Sequence, residues 1–158
     1  MFLDAIADVK TEAQWNYKPA PDRSVAECAS HIIAAEQYFR DNISQALKGP
    51  LLPAEQQSGA GDAVISKFIR DRSTKFQAPT VLEPTGKVTP KAQAITDFEA
   101  TRAKTLEYVR TTQDALREYG GGTPPTSAYQ LVLMLSGHTE RHTAQLLEVK
   151  ASPGYPKN

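Results

Sequence analysis

The sequence predicts an all-α fold, a four-helix bundle with an extra helical segment in its middle insertion, on three observations. Eleven prolines divide the 158 residues, and proline costs about 3 kcal/mol inside a helix, so each marks a place where no helix runs. The proline-free blocks 22–49, 54–78, 91–123 and 126–152 are rich in Ala, Leu, Glu, Gln and Arg, which are helix formers. Within them apolar residues recur at three- and four-residue intervals, the period of a helix with one buried stripe.

The elements follow in order. Residues 2–15 predict a first helix of about 20 Å, against roughly 35 Å for the long helices at 1.5 Å per residue. That mismatch leaves two explanations, residues upstream of Met1 or a second chain covering the core. Ser24-Val-Ala-Glu27 has the form of a capping box and opens a helix over 24–47. Its stripe is Val25, Cys28/Ala29, Ile32, Ala35, Phe39, Ile43 and Ala46/Leu47. Gly49 to Gly61 reads as a surface loop. Ile65, Phe68, Ile69, Arg72 and Phe76 place the extra helix over 62–76, before Pro79, Pro84 and Gly86 end it.

Thr89-Pro90 predicts an N-cap with proline at the first helical position. The helix to about 112 carries Ile95, Phe98, Arg102, Leu106 and Val109 on one face. The stretch from Gly120 to Pro125 breaks the chain, and Ser127 with Gln130 caps a last helix to about 150. One domain over 1–150 is expected, with residues 151–158 as a tail that leaves the bundle.

Composition narrows the function. Lys+Arg and Asp+Glu each number 18, so the chain has no electrostatic footprint for a nucleic-acid backbone or an anionic membrane surface. A single cysteine, Cys28, allows no internal disulfide and fits a reducing cytoplasm. Asp4 and Asp8 interrupt the apolar run that a signal peptide needs, and no 18-residue apolar stretch occurs.

The chemistry concentrates in three histidines. His138 and His142 stand four apart on one helical face, on the stripe Leu131, Leu135, His138, His142, Gln145/Leu146, Val149 that should point inward. His31 lies on the inner half of the second helix, so three imidazoles can meet if the two helices are neighbours. Three protein nitrogens leave a coordination position open, as in catalytic zinc sites. Three core histidines with satisfied hydrogen bonds and no metal would show the same spacing. Glu27, Glu36 and Glu140 are the catalytic or supporting candidates, against the plainer reading of each as a solvated helix face. Cys28 is a fourth ligand, a redox-sensitive thiol or a small core residue. Gln145 is a substrate contact or a helix-interface hydrogen-bonder, and Gly137 permits close helix approach beside His138. Tyr38, Phe39, Arg102, Tyr129 and Met134 lie on or near inner stripes and would shape a pocket or fill the core.

The run from Trp15 to His31, a proline-rich turn into a helix bearing one histidine, is followed by Gly-His138-Thr-Glu-Arg-His142-Thr-Ala-Gln-Leu146. Together these resemble the DinB-like superfamily over almost the whole chain. The resemblance implies a four-helix bundle with a divalent metal, zinc or nickel, on His31, His138 and His142. It implies relatives that are thiol S-transferases using bacillithiol or mycothiol, an isomerase, or metal-dependent hydrolases, and frequent homodimers. A low-molecular-weight thiol is then an expected co-substrate beside a small-molecule substrate. The short first helix and the long middle, 48–90, depart from the family pattern, and the middle is expected to form a lid or rim. The competing class is a non-catalytic metal-binding or interaction bundle of a stress-related kind.

Overall fold

In the computed structural model, which describes residues 1–83, 89–122 and 124–157, two long helices form the spine. These are α3 (Val25–Ala46) and α7 (Ala128–Ala151). Both start where the sequence places them. Ser24 accepts from the Glu27 amide at 3.1 Å while Glu27 accepts from the Ser24 amide at 2.8 Å. Ser127 and Gln130 repeat the exchange at 3.1 Å each way. Such boxes satisfy amides that have no partner within the helix. The two helices run antiparallel. Val25 and Ala26 share a core cluster with Leu146 and Val149, whereas Ile43 and Ala46 pack on Ala128 at the opposite end.

The predicted first helix is instead two, α1 (Phe2–Ala7) and α2 (Glu12–Asn16). The reason is a second start signal. Thr11 accepts from the Gln14 amide at 3.1 Å, and the Gln14 side chain accepts from the Lys10 and Thr11 amides, so the chain re-initiates at Glu12. The two pieces and the turn between them cover the end of the core with Phe2, Ile6, Val9 and Trp15, all buried. Trp15 Nε1 donates to the Thr89 carbonyl at 2.8 Å, giving the buried indole its partner.

Between α3 and the next long helix the chain makes one turn of helix, α4 (Ala54–Gln57), inside the predicted loop, then α5 (Asp62–Arg70). The latter stops six residues short of the expected Phe76. Asp71 Oδ1 accepts from the Ser73 amide at 2.8 Å, a local bond that competes with helix propagation. Residues 71–79 continue as an irregular strap into a 3₁₀ turn at Thr80–Leu82. The predicted breakers Pro84 and Gly86 lie outside the described residues, as do Thr123 and Asn158.

Helix α6 (Lys91–Thr111) has Pro90 as its N-cap, one residue later than the predicted Thr89. Its inner face is also rotated. Ala94, Phe98 and Thr105 are buried, while Leu106 and Val109 are 50% and 43% exposed. Polar bonding sets the rotation. Thr105 Oγ1 donates to Glu36 Oε2 at 2.6 Å, and Arg40 donates to Thr101 and Thr105 at 2.9 Å.

The break at 120–125 is a small hairpin of β1 (Gly120–Gly121) and β2 (Thr126–Ser127). Gly49 abuts it so closely that a Cβ there would lie 2.2 Å from the Gly120 carbonyl oxygen. The end of the chain does not leave the bundle. Tyr155 packs edge-on to Tyr17 at 5.6 Å, and Gln14 Nε2 donates to the Pro156 carbonyl at 3.0 Å. Among the described residues no helix is long and apolar enough to cross a membrane.

Candidate metal centre

His31 lies in the second turn of α3, and His138 and His142 lie one turn apart in the middle of α7, so the antiparallel pairing brings all three together. His31 Nε2 is 3.1 Å from both His138 Nε2 and His142 Nε2. Tetrahedral ligands at zinc distances stand about 3.3 Å apart, so the spacing suits a shared ion. Among the described residues these three form the one group of His, Cys, Asp and Glu positioned to hold a metal.

The outer nitrogens fix the inner ones. His31 Nδ1 lies 2.9 Å from the Leu82 carbonyl oxygen, which only accepts, so that nitrogen carries the proton. His142 Nδ1 lies 2.8 Å from Gln145 Oε1 and donates to it in the same way. Both Nε2 atoms therefore present lone pairs to each other. Two facing lone pairs repel, and a cation between them would remove the conflict. His138 Nδ1 is buried and has no hydrogen-bond partner among the described residues.

Burial keeps these rings neutral. It pushes the His31 pKa down from the usual 6.5 to about 4, that of His142 to about 3 and that of His138 to about 2, with repulsion among the three adding to the last two. Neutral imidazole is the form that binds metal.

Two cavities reach the cluster. One, of about 300 Å³, is bounded by α5, the strap and α7, and includes all three histidines with Gln145. The other, of about 620 Å³, touches His138 alone among the histidines, and Tyr38, Phe39 and Met134 line it as their stripes suggested. Pro79 and Leu82 belong to both walls. Arg102 and Tyr129 line neither. Arg102 pairs with buried Glu36 at 2.6 Å, and Tyr129 lies 3.8 Å under the Arg117 guanidinium.

The remaining residues singled out from sequence are engaged elsewhere. Glu27 serves the Ser24 cap and Lys18 at 2.7 Å, and these bonds hold its carboxyl below the usual range against the opposing effect of burial. Glu36 is fully buried against Arg102, Thr105 and Arg40, tying α3 to α6. Glu140 takes a two-point contact from Arg70 at 2.6 Å, which lowers its pKa. None of the three contacts an imidazole. Cys28 is buried in the core cluster, and desolvation pushes its thiol up to about 12. Gly137 lets α5 onto α7, since a Cβ there would lie 2.2 Å from Ile69 Cγ2.

Sequence reasoning missed the Leu82 carbonyl, which has no side-chain signature, and the basic residues Arg23 and Arg141 at the smaller cavity.

The two antiparallel helices converge three imidazoles, with cavities leading to them, in an arrangement that could hold a metal ion. The chain belongs to the DinB superfamily, whose family model matches residues 1–146. No curated protein and no solved structure matches it.

Proposed function

We propose that this DinB superfamily member is a metal-dependent enzyme in which His31, His138 and His142 hold one divalent ion, zinc or nickel, with a position open to substrate. The observation that carries the reading is the committed Nδ1 pair. Leu82 and Gln145 take the outer protons of His31 and His142, leaving two inner lone pairs 3.1 Å apart at the foot of a cavity. When bound, a divalent ion would supply Lewis acidity that lowers the pKa of a water or thiol at its open position.

The chain supplies the rest. Leu82 and Gln145 orient two ligand rings, and Phe39 packs 5.5 Å from the His138 ring to limit its rotation. The two cavities give room for two reactants that meet beside His138, the arrangement a thiol transferase needs, whereas a hydrolase needs only one. The three carboxylates have salt-bridge or cap partners, so proton transfer falls to the water or thiol itself and to substrate.

Elemental analysis of tag-free protein, wild type against His138→Ala, tests the site, with circular dichroism to verify that both are helical. Near-stoichiometric metal in the wild type and its loss in the variant support the reading. Parallel screens of thiol conjugation and ester or amide hydrolysis then separate the two chemistries. A wild type that carries no metal and takes up neither zinc nor nickel overturns it, in favour of an interaction bundle.

A further inference from the structure

The smaller cavity has a charge character of its own. Four cationic side chains line it, Arg23, Arg72, Lys75 and Arg141, with one carboxylate, Asp22. Three of the cations have acidic partners. Arg72 is held by Glu148, at 2.8 Å through Nε; Lys75 stands 3.9 Å from Asp22; and Arg23 Nη2 reaches Glu83 at 3.3 Å. Arg141 has none among the described residues and donates instead to the Asp71 and Thr74 carbonyls. Arg23 Nη1 is buried with no partner among the described residues. A buried guanidinium nitrogen without an acceptor is costly, and its natural complement is a carboxylate or similar oxyanion.

Beyond the charged groups, the three histidines, Gln77 and Gln145, the lining is apolar. Ile69 and Ala78 contribute, and Phe68 and Phe76 stand 5.0 Å apart, 51% and 53% exposed. Two half-exposed rings at the edge of a charged cavity offer a surface for an apolar body.

We infer that this cavity binds a small organic oxyanion with an apolar body, its head group taken by the Arg23 guanidinium and its body laid against Phe68 and Phe76. This deepens the metal-dependent reading, on which it rests for the chemistry that follows binding. The cavity, at about 300 Å³, sets the size to that of a phenylalkanoate rather than a nucleotide.

The test compares 3-phenylpropionate with 3-phenylpropan-1-ol, which share a skeleton and differ in charge. Binding is measured by calorimetry on zinc-loaded and on EDTA-treated protein, for wild type and Arg23→Gln. The wild type is expected to prefer the carboxylate at least about tenfold in both forms, and Arg23→Gln to lose that preference while its zinc content stays unchanged. Should Arg23→Gln lose helicity, the Arg23 Nε–H signal of labelled wild-type protein decides, shifting with the carboxylate and not with the alcohol. Equal affinity for the two probes, no binding of either, a preference confined to the zinc-loaded form, or one that survives in Arg23→Gln overturns the inference. If the protein takes up no metal, the centre fails as proposed, and an Arg23-dependent preference in EDTA-treated protein still stands by itself.

Discussion

Gln145 accepts the Nδ1 proton of His142 at 2.8 Å from one turn further along the same helix. The bond selects the tautomer whose Nε2 faces His31, so Gln145 would prepare one ligand for the proposed ion. Groups of this kind orient imidazoles, and their loss costs roughly 10- to 100-fold in metal affinity. Gln145→Leu should weaken zinc binding by that factor with helicity unchanged, as read by competition with a chelating dye. Unaltered affinity would mean that the ring is held by packing alone.

Stability of the metal-free protein should fall with acid. The three histidines have folded pKa values lowered from 6.5 to about 4, 3 and 2. Below pH 6.5 the unfolded chain therefore binds protons that the folded chain refuses. Their contribution is complete above about pH 6.5 and is lost as pH falls toward 4, by up to about 1.4 kcal/mol per pH unit for each ring that stays neutral. Urea melts of EDTA-treated protein at pH 7.5, 6 and 5 measure the slope. Saturating zinc should shift all three melts upward, most at pH 7.5, because protons compete for the same nitrogens.

Cys28 should be inert while the protein is folded. Its thiol is fully buried and pushed up to about 12, so thiolate at pH 8 is of the order of one part in ten thousand, against about a quarter for a free cysteine. Reaction with a disulfide reagent should follow the unfolding rate and become fast in denaturant. Rapid modification of native protein would show that α3 opens locally near His31.

Gly137→Ala should separate two helices. The new methyl carbon would meet Ile69 Cγ2 at 2.2 Å, and the overpacking cost of roughly 1–3 kcal/mol exceeds the roughly 1 kcal/mol that alanine contributes to an isolated helix. The expected result is a lower melting temperature and faster hydrogen exchange in residues 62–70. An unchanged melting temperature would mean that Ile69 turns aside at no cost.

What the sequence makes legible is what is local or periodic. Ser24 with Glu27 and Ser127 with Gln130 mark their helix starts within four residues, and the three histidines sit on apolar stripes that must face inward. The Thr11–Gln14 box has the same form, yet the apolar spacing of Phe2, Ile6 and Trp15 reads through it as one helix. The buried face of α6 is hidden for a different reason. Its orientation follows Thr105 bonding to Glu36 across 69 residues, and a threonine that anchors a helix looks like a threonine in water. Leu82 is hidden most completely, because it acts through a carbonyl that every residue possesses. The basic lining of the smaller cavity comes from three separate segments, so no run of charge announces it.

His31 is separated from His138 and His142 by 107 and 111 residues. A nascent chain holding only the first hundred residues has one of the three imidazoles and no cluster, and a chain truncated before His138 is in the same state. Closing so long a loop is slow compared with forming the helices themselves. If the three histidines hold an ion as proposed, its capture has to wait for α7 to reach α3, and uptake of metal by refolding protein would time that arrival.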